Sequence, residues 1–212
     1  KINIAPLNII RENIEIDLLD SISASKSNKK LIFYGGTSLR LMYGSPRFSE
    51  DMDFLMVEKI TVKELEKIIN NLISKNKNVL IKDIKDKRKT LFSMINVTNP
   101  VLKHPVNIKI EISKRKGNIK SEFLPVVSIC SHLKPIVLTS TLQALKFMKI
   151  EAIKNRTDSK DWFDLWYIYK CLKEPVVYPK EFPFNKKEFI RELKRFLPVD
   201  KWPLIGQIYA KD

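Results

Sequence analysis

The stretch "VNIKIEIS" alternates more cleanly than any other in the chain. Val106, Ile108, Ile110 and Ile112 fall on one face of an extended segment, and Asn107, Lys109 and Glu111 fall on the other. Residues 79–86 and 90–98 alternate more weakly and predict two further strands, joined by the basic turn "KDKRK". "LIFYGG" is a short apolar run stopped by two glycines, as in a buried strand followed by a tight turn. "DMDFLMV" predicts another strand. Helical spacing predicts a first helix over residues 5–22, and one or two turns at "TSLRLMYG" capped by Gly44. "TVKELEKIINNLISK" is the clearest helix. Thr61 and Glu64 form a capping box ahead of an apolar stripe of Leu65, Ile68, Ile69, Leu72 and Ile73.

After Leu138 the period changes. "TSTLQALKFMKIEAIKNR", "SKDWFDLWYIYKCL", "NKKEFIRELKRFL" and "VDKWPLIGQIYA" all predict helices, with the Pro-rich "KEPVVYPKEFPF" between the second and third. The expected organisation is an α+β domain over residues 1–130, with a mixed sheet flanked by helices, followed by a helical bundle over 131–212.

At 44% apolar, 212 residues suffice for a real core. The formal charge of +15 favours a polyanionic partner, nucleic acid first, although Lys- and Asn-rich compositional drift also yields such a charge. Cys130 and Cys171 suit reduced thiols in a cytoplasmic protein better than a disulfide framework. No apolar run is long enough for a membrane helix, and no signal peptide is expected.

Asp51 and Asp53 stand at i and i+2 on a predicted strand, so both leave the same face. Carboxylates about 6–7 Å apart repel each other, and a divalent cation between them relieves this. Oxygen ligands suit Mg²⁺, which also takes phosphate oxygens of a nucleotide. Two solvated aspartates at a strand start would carry the same pattern. Two features favour the metal. The Gly35-Gly36-Thr37 turn lets backbone N–H groups approach phosphate at a helix N-terminus, though it also suits an ordinary turn. Glu111 would join the metal ligands if its strand lies beside the D-x-D strand, with Lys109 next to it and free to reach a phosphate.

The pattern Gly36-Thr37, 13 residues, then Asp51-Met52-Asp53-Phe54 resembles the DNA polymerase beta-like nucleotidyltransferase superfamily. The longer "GGTSLRLMYGSPRFSEDMDF" is similar to the AbiEii/AbiGii-type toxin nucleotidyltransferases, the MenT-like group, in which G-G-T, R-F-S-E-D and D-F recur together. A second match, "KIEAIKNRTDSKDWFDL", resembles the same family's K-x-x-A, R, [KR]-D-x-x-D-[LI] signature and places Lys149, Ala152, Arg156, Lys160, Asp161 and Asp164 on it. The resemblance spans about residues 31–170 and departs in its third carboxylate, Glu111, where many relatives carry Asp.

The resemblance implies a nucleotidyltransferase fold and transfer of a nucleoside monophosphate from an NTP. The acceptor is expected to be RNA, notably the 3′ end of tRNA, and the protein the toxin of a toxin–antitoxin or abortive-infection pair with a cognate antitoxin. Asp51 and Asp53 would hold two Mg²⁺ ions, for which Mn²⁺ can substitute. Glu111 would hold the catalytic ion and help activate the attacking hydroxyl. The Gly36-Thr37-Ser38 turn would cradle the triphosphate. Lys149 would neutralise phosphate charge, and Asp161 would position it or the substrate. Arg47 would either contact phosphate or brace the D-x-D loop.

The aromatic cluster Trp162, Phe163, Trp166, Tyr167 and Tyr169 is expected to pack a core, with base stacking as the minor alternative. Two other functions compete: a catalytically inactive homologue that binds nucleotide or RNA, and an antibiotic-modifying nucleotidyltransferase. A protein of charge +15 would repel the cationic aminoglycosides of the latter.

Overall fold

The computed structural model describes residues 4–209, apart from 116 and 118. Part of the basic run "KRKGNIK" therefore lies outside the described residues.

Seven strands form one mixed sheet: β1 (Leu31–Tyr34), β2 (Asp51–Met56), β3 (Val79–Asp86), β4 (Thr90–Val97), β5 (Val106–Ser113), β6 (Ser121–Pro125) and β7 (Ile136–Ser140). Their order is β3-β4-β5-β2-β1-β7-β6. β2 lies parallel to β5 and β1 parallel to β7, and the other neighbours are antiparallel. Alternation decides which face is covered. Phe33, Met52, Phe54, Ile108, Ile110 and Ile112 all join one buried core with the apolar sides of α1 (Pro6–Ser23) and α3 (Val62–Lys75). The capping box on α3 forms as the sequence indicates: Glu64 N–H donates to Thr61 Oγ1, and Thr61 N–H donates to Glu64 Oε2.

Beside β1 and β2 runs α2 (Gly35–Tyr43); α4 (Leu142–Asn155) packs on α2, and α5 (Ser159–Leu172) packs on α4. Leu39 of α2, Leu145 of α4 and Ile168 of α5 form a small apolar contact between the halves. Beyond it lies a second core. Trp162, Phe163, Trp166 and Tyr169 are buried there against Phe189 and Leu193 of α6 (Lys186–Lys194). Tyr167 is half-buried, and its hydroxyl donates to the Tyr43 carbonyl. The aromatic cluster is core packing.

Three expectations need correction. The α/β half does not end at residue 130, because β7 supplies a sheet strand between β1 and β6. Thr139 and Ser140, expected in a helix, are extended, and Thr141 caps α4. The last predicted helix is instead a 3₁₀ segment, Val199–Ile205, followed by the short α7, Gly206–Tyr209. Pro203 inside that segment lacks the N–H an α-helix would use.

Candidate active site

The site begins at two glycines packed against side chains of β2 and its approach. Gly35 has φ +86°, a conformation that side chains strain, and a Cβ there would stand 2.7 Å from Asp53 Oδ2. At Gly36 a Cβ would stand 2.3 Å from Arg47 Nη2 and 2.8 Å from Ser49 Oγ. The two glycines let α2 start directly against β2. α2 ends at Gly44, left-handed at φ +75°, and the chain returns through residues 45–50 to Asp51. Thr37 fixes the return, donating from Oγ1 to the Asp51 carbonyl at 2.6 Å.

Register then assembles the carboxylates. Asp53 lies opposite Tyr34 of β1 on one side and Glu111 of β5 on the other, and Asp51 lies opposite Lys109. Asp51, Asp53, Lys109 and Glu111 therefore share the face away from the main core and line one cavity of about 340 Å³. Lys109 is not free: its ammonium lies 3.0 Å from Asp51 Oδ2 and 3.2 Å from Glu111 Oε2. Burial, and then the Asp51 charge, push the Asp53 carboxyl up to about 6. Among the described residues, no three acidic, histidine or cysteine side chains stand close enough together to enclose an ion as they are placed.

Across the cavity, the helical half presents a second charge cluster. The Lys149 ammonium is 2.8 Å from Asp161 Oδ1 and 2.6 Å from Asp164 Oδ2. Arg47 reaches over from the β2 approach and grips Asp164 with two hydrogen bonds of 2.7 and 2.8 Å. Arg47 Nη1 also donates to the Phe48 carbonyl at 2.8 Å. Burial opposes ionisation of Asp164, but Arg47 and Lys149 outweigh it and hold the carboxyl at about 2. Burial likewise opposes the charge on Lys149, and Asp164 and Asp161 outweigh it, so the amine stays above its ordinary range. Asp161 also accepts from Arg156 Nε at 2.6 Å.

Asp51, Asp53, Glu111, Lys149 and Asp161 thus line one cavity, as does Gly36. Arg47 lines it too, and its Nε, Nη1 and Nη2 each donate within the protein, an arrangement that braces the loop. The hydroxyls of Thr37 and Ser38 are not part of a phosphate cradle. Both residues are fully buried, and Ser38 Oγ lies 2.8 Å from Thr139 Oγ1 behind the cavity wall. Only the glycines of that turn face the cavity. Residue reasoning gave no role to Asp164, the hub of the second cluster, although it stands on the D-x-x-D motif. Ser49, Arg156 and Lys160 also line the cavity; all three stand on the quoted motifs, but residue chemistry alone gave them no role.

A family model described as nucleotidyl transferase AbiEii toxin, type IV toxin–antitoxin system, matches residues 17–200. The fold is similar to the crystal structure of JHP933 from Helicobacter pylori: TM-score 0.62 at 21% identity, covering 97% of this chain and 80% of that one. It is also similar to the nucleotidyltransferase toxin MenT4 from Mycobacterium tuberculosis, with TM-score 0.56 at 15% identity over 87% of this chain and 62% of that one. No curated protein matches the chain.

Proposed function

Because the chain belongs to the AbiEii nucleotidyl transferase toxin family, we propose that it transfers a nucleoside monophosphate from an NTP to RNA at the cavity between its two halves. One observation carries this reading: Asp51, Asp53 and Glu111 from two parallel strands face Lys149 from the helical half across one cavity.

The donor chemistry suits a divalent metal, which would have to draw the three carboxylates closer than they stand. Three carboxylates on one sheet face are hard oxygen donors, and a cation, the Lys109 ammonium, already bridges two of them. Asp51, Asp53 and Glu111 would hold Mg²⁺, which when bound neutralises charge on the phosphates and lowers the pKa of a coordinated hydroxyl. In the step itself, the acceptor hydroxyl oxygen bonds to the α-phosphorus, the bond from that phosphorus to the β-phosphate oxygen breaks, and pyrophosphate leaves. Glu111 takes the hydroxyl proton and releases it to solvent. Lys149, kept charged by Asp161 and Asp164, attracts the triphosphate. Gly35 and Gly36 allow it close approach to the start of α2. An RNA acceptor suits the charge of +15, and the 3′ end of tRNA is the acceptor the family resemblance implies. A cognate antitoxin would restrain the activity. Among the described residues, no helix is long and apolar enough to cross a membrane.

The test is incubation with each α-³²P-labelled NTP, Mg²⁺ and total RNA, followed by gel separation. Label should enter RNA of tRNA size and pyrophosphate should be released. Label transferred equally by the Asp53→Asn variant, or to no RNA at all, would sink the reading.

A further inference from the structure

Asp51, Asp53 and Glu111 are three acids with one partner. Among the described residues, Lys109 is the one cation in an ion pair with any of them. Its ammonium sits between Asp51 and Glu111, the seat that a divalent ion held by both carboxylates would need. It has no rival engagement, and its side chain is one-third exposed, so it can leave without disturbing the core.

From this geometry we infer that Lys109 is an internal counter-ion that metal and nucleotide must displace together, which makes their binding cooperative. This rests on the metal reading proposed above. Without metal, the ammonium holds the carboxylates together and lowers their repulsion. A divalent ion arriving alone must break both ion pairs and leave the ammonium with no anion. An ion arriving with a triphosphate supplies that anion. Lys109 lines the same cavity as Lys149, so the displaced ammonium has phosphate oxygens within its swing. The coupling follows from a differential interaction: Lys109 opposes metal in one state and favours nucleotide in the other. Lys149 cannot do the same, because it is buried between Asp161 and Asp164.

The test measures Mn²⁺ binding by the paramagnetic resonance of the free ion, on the whole chain at pH 7.5 without nucleotide. Lys109→Met should bind Mn²⁺ about tenfold tighter than the unmodified protein, a difference of about 1.4 kcal/mol. At saturating Mn²⁺, the same variant should bind a non-hydrolysable NTP analogue several-fold more weakly. Lys109→Arg, which keeps a cation, should shift Mn²⁺ binding far less. The opposite signs separate this role from a structural one, which would weaken both ligands. If Lys109→Met binds Mn²⁺ no tighter while Asp53→Asn abolishes binding, the counter-ion role is wrong and the metal site stands. If Mn²⁺ binding is indifferent to Asp53→Asn, the metal reading falls and this inference falls with it.

Discussion

Asp53 shows how one residue's surroundings set its use. Burial and the neighbouring Asp51 disfavour its charged form and push the carboxyl up to about 6, so its proton competes with a cation below that pH. Transfer and metal binding should both fall as pH drops through 6, and a pH–rate profile at fixed Mg²⁺ checks this. The stability sign is opposite. A carboxyl raised in the folded state costs stability as pH rises from its ordinary value toward 6. Asp53→Asn should therefore abolish transfer yet raise the urea midpoint at pH 7.5, by a free energy on the order of 1–3 kcal/mol. Arg47 has the contrary character. Arg47→Met would leave Asp164 buried with half its partners, at a cost of about 3–5 kcal/mol by thermal or urea unfolding. Its bracing role was open in the sequence because an Arg four residues before D-x-D suits either use. Its pair with Asp164, 117 positions away, is what favours bracing.

Among the elements, β5 was readable to the residue, because strict alternation fixed both its faces. That its face coincides with that of Asp53 depends on parallel pairing with β2, and no local pattern states a pairing. β6 and β7 were unreadable for the same cause in another form. β6 is an edge strand whose residues are almost all exposed, so it has no apolar face to alternate. β7 ends in Thr139 and Ser140, whose hydroxyls bond inside the sheet and look like a helix cap from sequence. The G-G turn was legible as a site, but not which of its residues would face it. The turn makes a prediction of its own. Gly35→Ala combines a strained φ with a 2.7 Å approach to Asp53, so it should displace β2 relative to α2. The expected result is loss of transfer of at least about tenfold with a clear drop in melting temperature, whereas Gly206→Ala, in open space, should change neither.

In the whole molecule, the charge excess does not come from the site. The chain carries +15, yet its cavity is balanced: Asp51, Asp53, Glu111, Asp158 and Asp161 stand against Arg47, Lys109, Lys149, Arg156 and Lys160. The excess must therefore lie elsewhere on the surface, and the Lys87–Lys89 turn between β3 and β4 is one exposed concentration of it. Reversing Lys87, Arg88 and Lys89 to Glu should weaken RNA binding severalfold at low salt, and the gap should close as salt rises. Equal affinity at every salt concentration, measured by filter binding, would place the RNA track on another surface.

The grip of Arg47 on Asp164 also sets an order in time. A ribosome delivers all three carboxylates, and the strands that carry them, before Lys149 and Asp164 emerge. During synthesis the nascent chain holds the acidic half of the chemistry but lacks the lysine and the clasp that seats the loop. Activity therefore switches on late in translation, when the last third of the polypeptide is free to dock.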